Sequence, residues 1–444
     1  MKLISVKSLN QALLSVLLFI FVGLVGTTAH AVNNYYVSPS GSGSACTQAA
    51  PCSSINQAHS SLSVGSSGNC VAGSGWITVP NAGACVHVLP GNYSGTINTS
   101  KSGGSSTKIV YISETKWGAH LLSPQITLNG NYSALFGFDI NGPNVTFAVL
   151  MQAGNNREVQ YNYIHDIHTT AGCTNPRNGV IHETTAPSNH DVFNGNILHH
   201  FGNASCGTNG FHGIYADGAA ATITNNVISG GAEGWGIQKQ YAGNTDCTPG
   251  TISNNTVFNN AGGIVINDEG SSCGFHNWTM NNNIIVNNGI SGTGGGGAFG
   301  IDYWSFTGNG TTLVSNNMVY GNLPANYANH GNACTAGTAN CPSTNPKTDA
   351  STAVTFVNFQ SDTNASPASN YNPENYQLKA GSNAIQNGTT NCASSGMSPC
   401  VASLDIVGIV RLASGTVPDL GAYEQQGSVA SVPSAPTGLT AVVQ

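Results

Sequence analysis

The sequence predicts an all-β chain wound as a parallel β-helix, a solenoid in which each turn stacks on the last. The main observation is a phrase that returns six times between Val159 and Tyr320. Its copies are Val159-Gln-Tyr-Asn-Tyr-Ile, Phe193-Asn-Gly-Asn-Ile-Leu, Ile223-Thr-Asn-Asn-Val-Ile, Ile252-Ser-Asn-Asn-Thr-Val, Met280-Asn-Asn-Asn-Ile-Ile and Val314-Ser-Asn-Asn-Met-Val. The shared asparagines Asn162, Asn196, Asn226, Asn255, Asn283 and Asn317 stand 34, 30, 29, 28 and 34 residues apart. A second phrase lies between copies: Gly179-Val-Ile, Gly213-Ile-Tyr, Gly236-Ile-Gln, Gly263-Ile-Val and Gly300-Ile-Asp. The third observation is negative: these stretches carry a period of two, with Gly- and Asn-rich corners and no helical period. The expectation is two strands per turn.

One turn cannot bury its apolar side alone, so turns stack at roughly 4.8 Å. Alternation puts each shared Asn and the apolar residue two places on (Ile164, Leu198, Ile228, Val257, Ile285, Val319) on one inward face. Asparagine is tolerable inside because stacked amides hydrogen-bond along the coil as a ladder. The cysteines test this register. Cys173 lies 11 residues after Asn162 and Cys206 lies 10 after Asn196; Cys247 and Cys273 lie 21 and 18 after Asn226 and Asn255. Each pair falls at nearly one place in adjacent turns, within disulfide reach.

Taken in order, residues 1–31 read as a secretory signal: basic Lys2 and Lys7, an apolar run from Leu13 to Gly26, and Ala29-His30-Ala31 for cleavage. The apolar run is too short for a spanning helix, so no membrane span is expected. Twelve cysteines in an exported chain read as six disulfides. Beside Cys173–Cys206 and Cys247–Cys273, the local pairs are Cys46–Cys52, Cys70–Cys85, Cys334–Cys341 and Cys392–Cys400. A metal site is the rival reading, but no CxxC pair supports it. Charged residues make up 7% of the chain and Gly numbers 56, a balance that suits stacked strands and tight corners. A net charge of −7 argues against a nucleic-acid partner. An acidic polysaccharide would need a basic patch or a bridging Ca²⁺.

Residues 32–93 form an N-terminal cap and first coil. Ser53 to Leu62 is a short helix with Ser53 or Ser54 as N-cap, placed to cover the open end of the solenoid. Residues 94–322 are the β-helix proper, starting through Ile109-Val-Tyr-Ile, Ile126-Thr-Leu and Leu135-Phe-Gly-Phe-Asp-Ile. Residues 323–424 are loop-rich C-terminal coils. Residues 425–444 read as a linker, or as the first strand of a fibronectin type III domain at Pro433-Ser-Ala-Pro-Thr-Gly-Leu.

The opening Tyr35-Tyr-Val-Ser-Pro-Ser-Gly, the Val88-Leu-Pro-Gly-Asn-Tyr and the repeated Asn-Asn-x-Ile resemble secreted right-handed parallel β-helix repeat proteins of the polysaccharide-lyase-like superfamily. The tail resembles a choice-of-anchor Q module in Leu378-Lys-Ala-Gly-Ser-Asn-Ala-Ile, Asp405-Ile-Val-Gly, Arg411 and Asp419-Leu-Gly-Ala-Tyr-Glu. It departs from that pattern in the insertion with Cys392 and Cys400. The resemblance implies a right-handed coil and work on an extracellular polysaccharide; the superfamily holds lyases, hydrolases, epimerases and uncharacterised proteins, so the reaction is implied only by analogy.

Chemistry on a solenoid must sit on its outward ladders. After each Gly-Ile the next residue faces out: Ile181, Tyr215, Gln238, Val265 and Asp302. Around them lie His182, Glu183, Asp217, Lys239, Gln240, Asp268, Glu269, Tyr303, Trp304, His212 and Trp235. Strict alternation turns Lys239 inward. A lone core lysine is costly, so the strand is expected to end or bulge there and release it. A second outward ladder three residues after the Asn runs His165, His199, Ser229, Phe258, Val286 and Tyr320, with Asp166 and His200 nearby. Imidazoles there could hold a metal or form an acid/base pair, or simply bind loop backbone.

Three readings follow. A lyase would take its base and acid from Lys239, His212 and Tyr215. Arg177, or Ca²⁺ on Glu183, Asp217, Asp268 or Asp302, would neutralise a uronate. Gln238, Trp235, Tyr241, Tyr303, Trp304 and His182 would bind substrate. A glycoside hydrolase would pair carboxylates among Asp217, Asp268, Glu269 and Asp302. A non-catalytic binder would stack sugar on Trp235, Tyr241, Tyr303 and Trp304. The partner in each case is an extracellular polysaccharide met by a monomer.

Overall fold

Each coil contributes three strands, not two, because the Asn phrase bends at its Asn and feeds two sheets. The computed structural model describes residues 32–425 except 153, 171, 174–177, 185–189, 207–209, 241–247, 268–277, 290–297, 305–311, 362–371, 394–399 and 412–416. Within them, three long sheets share the chain in rotation. Sheet A takes the strand before the Asn (Glu158–Gln160, Val192–Asn194, Thr222–Thr224). Sheet B takes the strand after it (Tyr163–Ile167, Ile197–Phe201, Val227–Gly231). Sheet C takes the Gly-Ile phrase (Asn178–Glu183, Phe211–Ala216, Trp235–Gln240, Gly262–Asn267, Phe299–Trp304). Successive coils pair parallel in all three, so the chain is a parallel β-helix.

The A–B corner explains the repeated dipeptide. Tyr161, Gly195, Asn225, Asn254, Asn282 and Asn316 all have left-handed backbone, with φ from 52 to 68°. Asn and Gly adopt that conformation at least cost, which is why they precede the ladder Asn; Tyr161 is the exception. The ladder Asn itself is buried. Asn226 Nδ2 donates to Asn255 Oδ1 at 2.9 Å, Asn255 to Asn283 at 3.0 Å and Asn283 to Asn317 at 2.9 Å. A second ladder not foreseen in the sequence runs at the B–C corner, Asn260 to Asn288 to Asn322, at 3.1 and 2.9 Å.

Helix Ile55–Ser61 has Ser54 as N-cap, its hydroxyl accepting from Gln57 N–H at 3.2 Å, and packs Ile55 and Ala58 onto the end of the core. Disulfides join Cys46–Cys52, Cys70–Cys85, Cys173–Cys206, Cys334–Cys341 and Cys392–Cys400. Cys247 and Cys273 lie outside the described residues, as do residues 1–31 and 426–444. No helix among the described residues is long and apolar enough to cross a membrane.

The C-terminal segment returns along the coil as a strap. Phe356, Tyr376, Leu378, Ile406, Leu420 and Tyr423 pack on the outer face of sheet B at Phe258, Val286 and Tyr320. The left-handed corner residues hold it: Asn225, Asn254, Asn282 and Asn316 donate to the carbonyls of Leu404, Asp419, Thr389 and Asn387 at 2.8–2.9 Å. Arg411 is buried and donates to Asn225 Oδ1 at 2.8 Å and to Glu424 at 3.1 Å. Asp405 caps the 405–409 turn, accepting from Val407 and Ile409 N–H.

Candidate functional site

The outer face of sheet C collects most of the residues singled out from sequence. In register across coils stand His182, Tyr215, Gln238, Val265 and Asp302. The first member corrects the expectation: Ile181, expected to face out, pairs with the inward Ile214, and His182 takes the outward place. Gly179 pairs with His212 and Val180 stands opposite Gly213, so the Gly179 phrase is out of step by one. Both Gly and Ile of the phrase face the core. A Cβ on Gly213 would sit 2.8 Å from Ile228 Cγ2 and 2.5 Å from the Gly236 carbonyl, so only glycine lets adjacent coils approach there. This kink leaves the residue before it, His212 or Trp235, on the same outer face as Tyr215.

Tyr215 lies between two imidazoles. The His182 ring meets it edge-on at 4.8 Å, and the His212 ring stacks at 5.4 Å. Its hydroxyl donates to Gln240 Oε1 at 2.6 Å, which also accepts from Gln238 Nε2 at 2.9 Å. His182 Nδ1–H donates to Asn178 Oδ1 at 3.1 Å, leaving Nε2 as the basic nitrogen. Burial pushes the His182 imidazole down to about 4, so it is uncharged at neutral pH. His212 has the opposite tautomer: Nδ1 accepts from Trp235 N–H at 2.9 Å, so the proton of the neutral ring sits on Nε2. The site therefore offers a base, a hydroxyl acid and amide and imidazole donors within three neighbouring coils.

Three predicted residues point the other way. Lys239 is fully buried: the strand continues through Gln240 and alternation turns its side chain into the coil. Its ammonium is not released but donates to the carbonyls of Gly218 at 2.6 Å, Gln240 at 2.7 Å and Ala216 at 3.3 Å. Glu183 and Tyr303 share that inward row, two coils before and two coils after in register. Glu183 is buried and accepts from Gly218 N–H at 3.0 Å, so it is no outward metal ligand. Burial, then the neighbouring Asp191 carboxylate, push its proton affinity well above the carboxylate range. Tyr303 is wholly buried and cannot stack on a sugar. Nearby, Arg157 holds Asp191 through its backbone N–H at 2.7 Å and Nη2 at 2.5 Å. Neither Arg157 nor Asp191 carried a signal, because each stands outside the two repeated phrases.

Asp302 faces out but lies three rungs from Tyr215, about 14 Å at the coil spacing. Its carboxylate accepts from Gly331 N–H at 3.1 Å, and burial pushes it up to about 6. Trp304 beside it is half-buried against His330. Asp217 is buried. Arg177, Tyr241, Asp268 and Glu269 lie outside the described residues. Among the described residues, two groups of three side chains are close enough to share an ion, Cys70–Cys85–His87 and His168–Cys206–Glu233. All three cysteines are tied up in disulfides, so neither group fits a cation; of the acidic residues offered for Ca²⁺, the described Glu183, Asp217 and Asp302 form no such group.

Sheet B carries a second array. His165 and His199 are neighbours in register, as expected. His165 is gripped on both sides, Nε2 by Asp139 and Nδ1 by Asp166, each at 2.8 Å. Asp139 also binds His120 at 2.7 Å, and Asp166 also binds His200. Despite burial, the two carboxylates raise His165 to about 9, and Asp166 is held well below the carboxylate range by its two imidazoles. His199 instead meets Ser229 Oγ at 3.0 Å, and burial lowers it to about 3. His120 and Asp139 escaped sequence reading because their coils lack the repeated phrase.

No family model matches the sequence, and no curated protein does. Solved structures similar to the chain include a pectate lyase, Pel9A, at 16% identity and TM-score 0.39, covering 90% of this chain and 98% of that one. A rhamnogalacturonan lyase is 12% identical at TM-score 0.36, covering 74% and 91%. An alginate lyase from Paenibacillus sp. str. FPU-7 is 16% identical at TM-score 0.37, covering 57% and 93%.

Proposed function

We propose that the protein is a secreted polysaccharide lyase that cleaves a uronate-containing glycan by β-elimination on the outer face of sheet C. The observation that carries the reading is Tyr215 held between His182 and His212, with opposite tautomers on the two rings. His182 Nε2 takes the proton from the carbon bearing the carboxylate. The C–H electrons form the new double bond as the bond to the leaving sugar oxygen breaks. Tyr215 gives its hydroxyl proton to that oxygen. The His212 Nε2–H and Gln238 amide donate to the carboxylate and lower the acidity barrier of the neighbouring C–H. Lys239 acts from behind, fixing the strand ends that carry Tyr215 and Gln240. Five disulfides suit an oxidising, extracellular setting.

A hydrolase reading has one supporting observation, the raised carboxyl of Asp302. The experiment that separates the two follows ultraviolet absorbance and reducing ends together on pectate, alginate, chondroitin and hyaluronan. Elimination gives both signals and loses both in Tyr215→Phe; reducing ends without absorbance, lost in Asp302→Asn, would replace it with hydrolysis. Neither signal with glycan retained would leave a binder.

A further inference from the structure

The array His120–Asp139–His165–Asp166–His200 spans four coils of sheet B, and the elimination chemistry makes no use of it. The C-terminal strap covers the same face from Ile197 and Val227 onward. Its cover stops where the array begins. There the His120 side chain is 42% exposed, and the outward Leu122, in register with Asn141 and His165, is 39% exposed.

We propose that this strip is a second saccharide site, which binds the neutral, hydroxyl-rich part of a glycan laid along the coil axis. His120 and His200 are each fixed through Nδ1 on a carboxylate, which leaves Nε2 of each without a hydrogen-bond partner among the described residues. An imidazole edge beside a carboxylate oxygen offers paired polar atoms, the pattern that adjacent sugar hydroxyls match. The groups already hold one another in place, so binding orders no loose side chains. Leu122 supplies exposed apolar surface for the C–H face of a sugar, and the Tyr163 ring, stacked at 4.4 Å on His165, fixes that imidazole from the side of the strap. Charge selects the class: the carboxylates of Asp139 and Asp166 line the strip, so a uronate meets like charge there. The inference does not depend on the reading of sheet C.

The test is affinity electrophoresis of the full chain through gels containing galactan, arabinan, mannan, xyloglucan or dextran, beside polygalacturonate. At least one neutral glycan should retard the protein, and His120→Ala with His200→Ala should weaken that binding about tenfold or more, the scale of a lost hydrogen-bonded contact. Thermal melts confirm that the double variant is folded. Tyr215→Phe, on the other sheet, should leave neutral-glycan retardation unchanged. The proposal is overturned if no neutral glycan retards the protein, if retardation survives the double variant, or if the variant loses only polygalacturonate.

Discussion

The ammonium of Lys239 sits 5.3 Å from the centre of the Trp278 ring, inside the solenoid. Three carbonyls and an aromatic face replace water around a charge in that position and stabilise it. Lys239→Met should therefore cost about 2–4 kcal/mol in urea unfolding, since it strands those carbonyls while filling the space. A variant as stable as the parent would mean that water takes over the carbonyls.

Glu183 and Asp191 look alike in sequence but should respond in opposite ways. Burial, then the Asp191 carboxylate, disfavour a charge on Glu183, so Glu183→Gln, uncharged and nearly isosteric, should change stability by less than about 1 kcal/mol. Asp191→Asn removes the anion from buried Arg157 and should cost about 3–5 kcal/mol. Equal losses would mean that Glu183, like Asp191, is needed as an anion.

The sheet B array sets a pH window. His165 is raised from 6.5 to about 9, so its contribution is full below 6.5 and disappears as pH climbs through about 9. Asp166 is lowered from 3.8, so its contribution is full above that value and fades as acid drops below it. Melting temperature should fall between pH 6.5 and 9.5, and His165→Gln should flatten that fall.

His182 gives the elimination reaction an acid limb. Its imidazole is lowered to about 4, so the base is present above that pH and lost as pH falls through it. The rate on the active uronate polymer should drop across that range. His182→Ala should reduce it by about a hundredfold or more at neutral pH. An unchanged acid limb in the variant would remove His182 as the base.

The Asn ladder should weaken from its middle. Asn255 accepts from Asn226 and donates to Asn283, to Ile223 O and to Ser253 O, whereas among the described residues the amide nitrogen of Asn317 donates to Met280 O alone. Asn255→Ala should cost about 2–3 kcal/mol in urea unfolding, and Asn317→Ala about half of that. The reverse order would show that the end coil, not the ladder, limits stability.

What could be read in advance was what repeats. The ladder asparagines, the outward Tyr215, Gln238 and Asp302, and the His165–His199 contact all follow from period two and a fixed phrase. The third strand was hidden because the phrase looks continuous through a left-handed corner. Lys239 was misjudged because its partners are backbone carbonyls, which leave no mark in a sequence. His182 and Glu183 were misplaced because Gly179 stands one position before the other phrase glycines, opposite His212, and a single-residue slip exchanges the faces of every side chain after it. His120, Asp139, Arg157 and Asp191 belong to no phrase at all.

The strap has a consequence for how the protein is made. A stack of coils can settle one turn at a time as the chain emerges, because each turn touches only its neighbours. Here Asn225, Asn254 and Ser253 find their partners at Leu404, Asp419 and Cys400, 179, 165 and 147 residues later. Until those late residues are synthesised, the corner amides and the apolar outer face of the middle coils stay wet. The molecule is thus sealed in a single late step, and a ribosome-bound intermediate remains pliable until almost the whole chain has emerged.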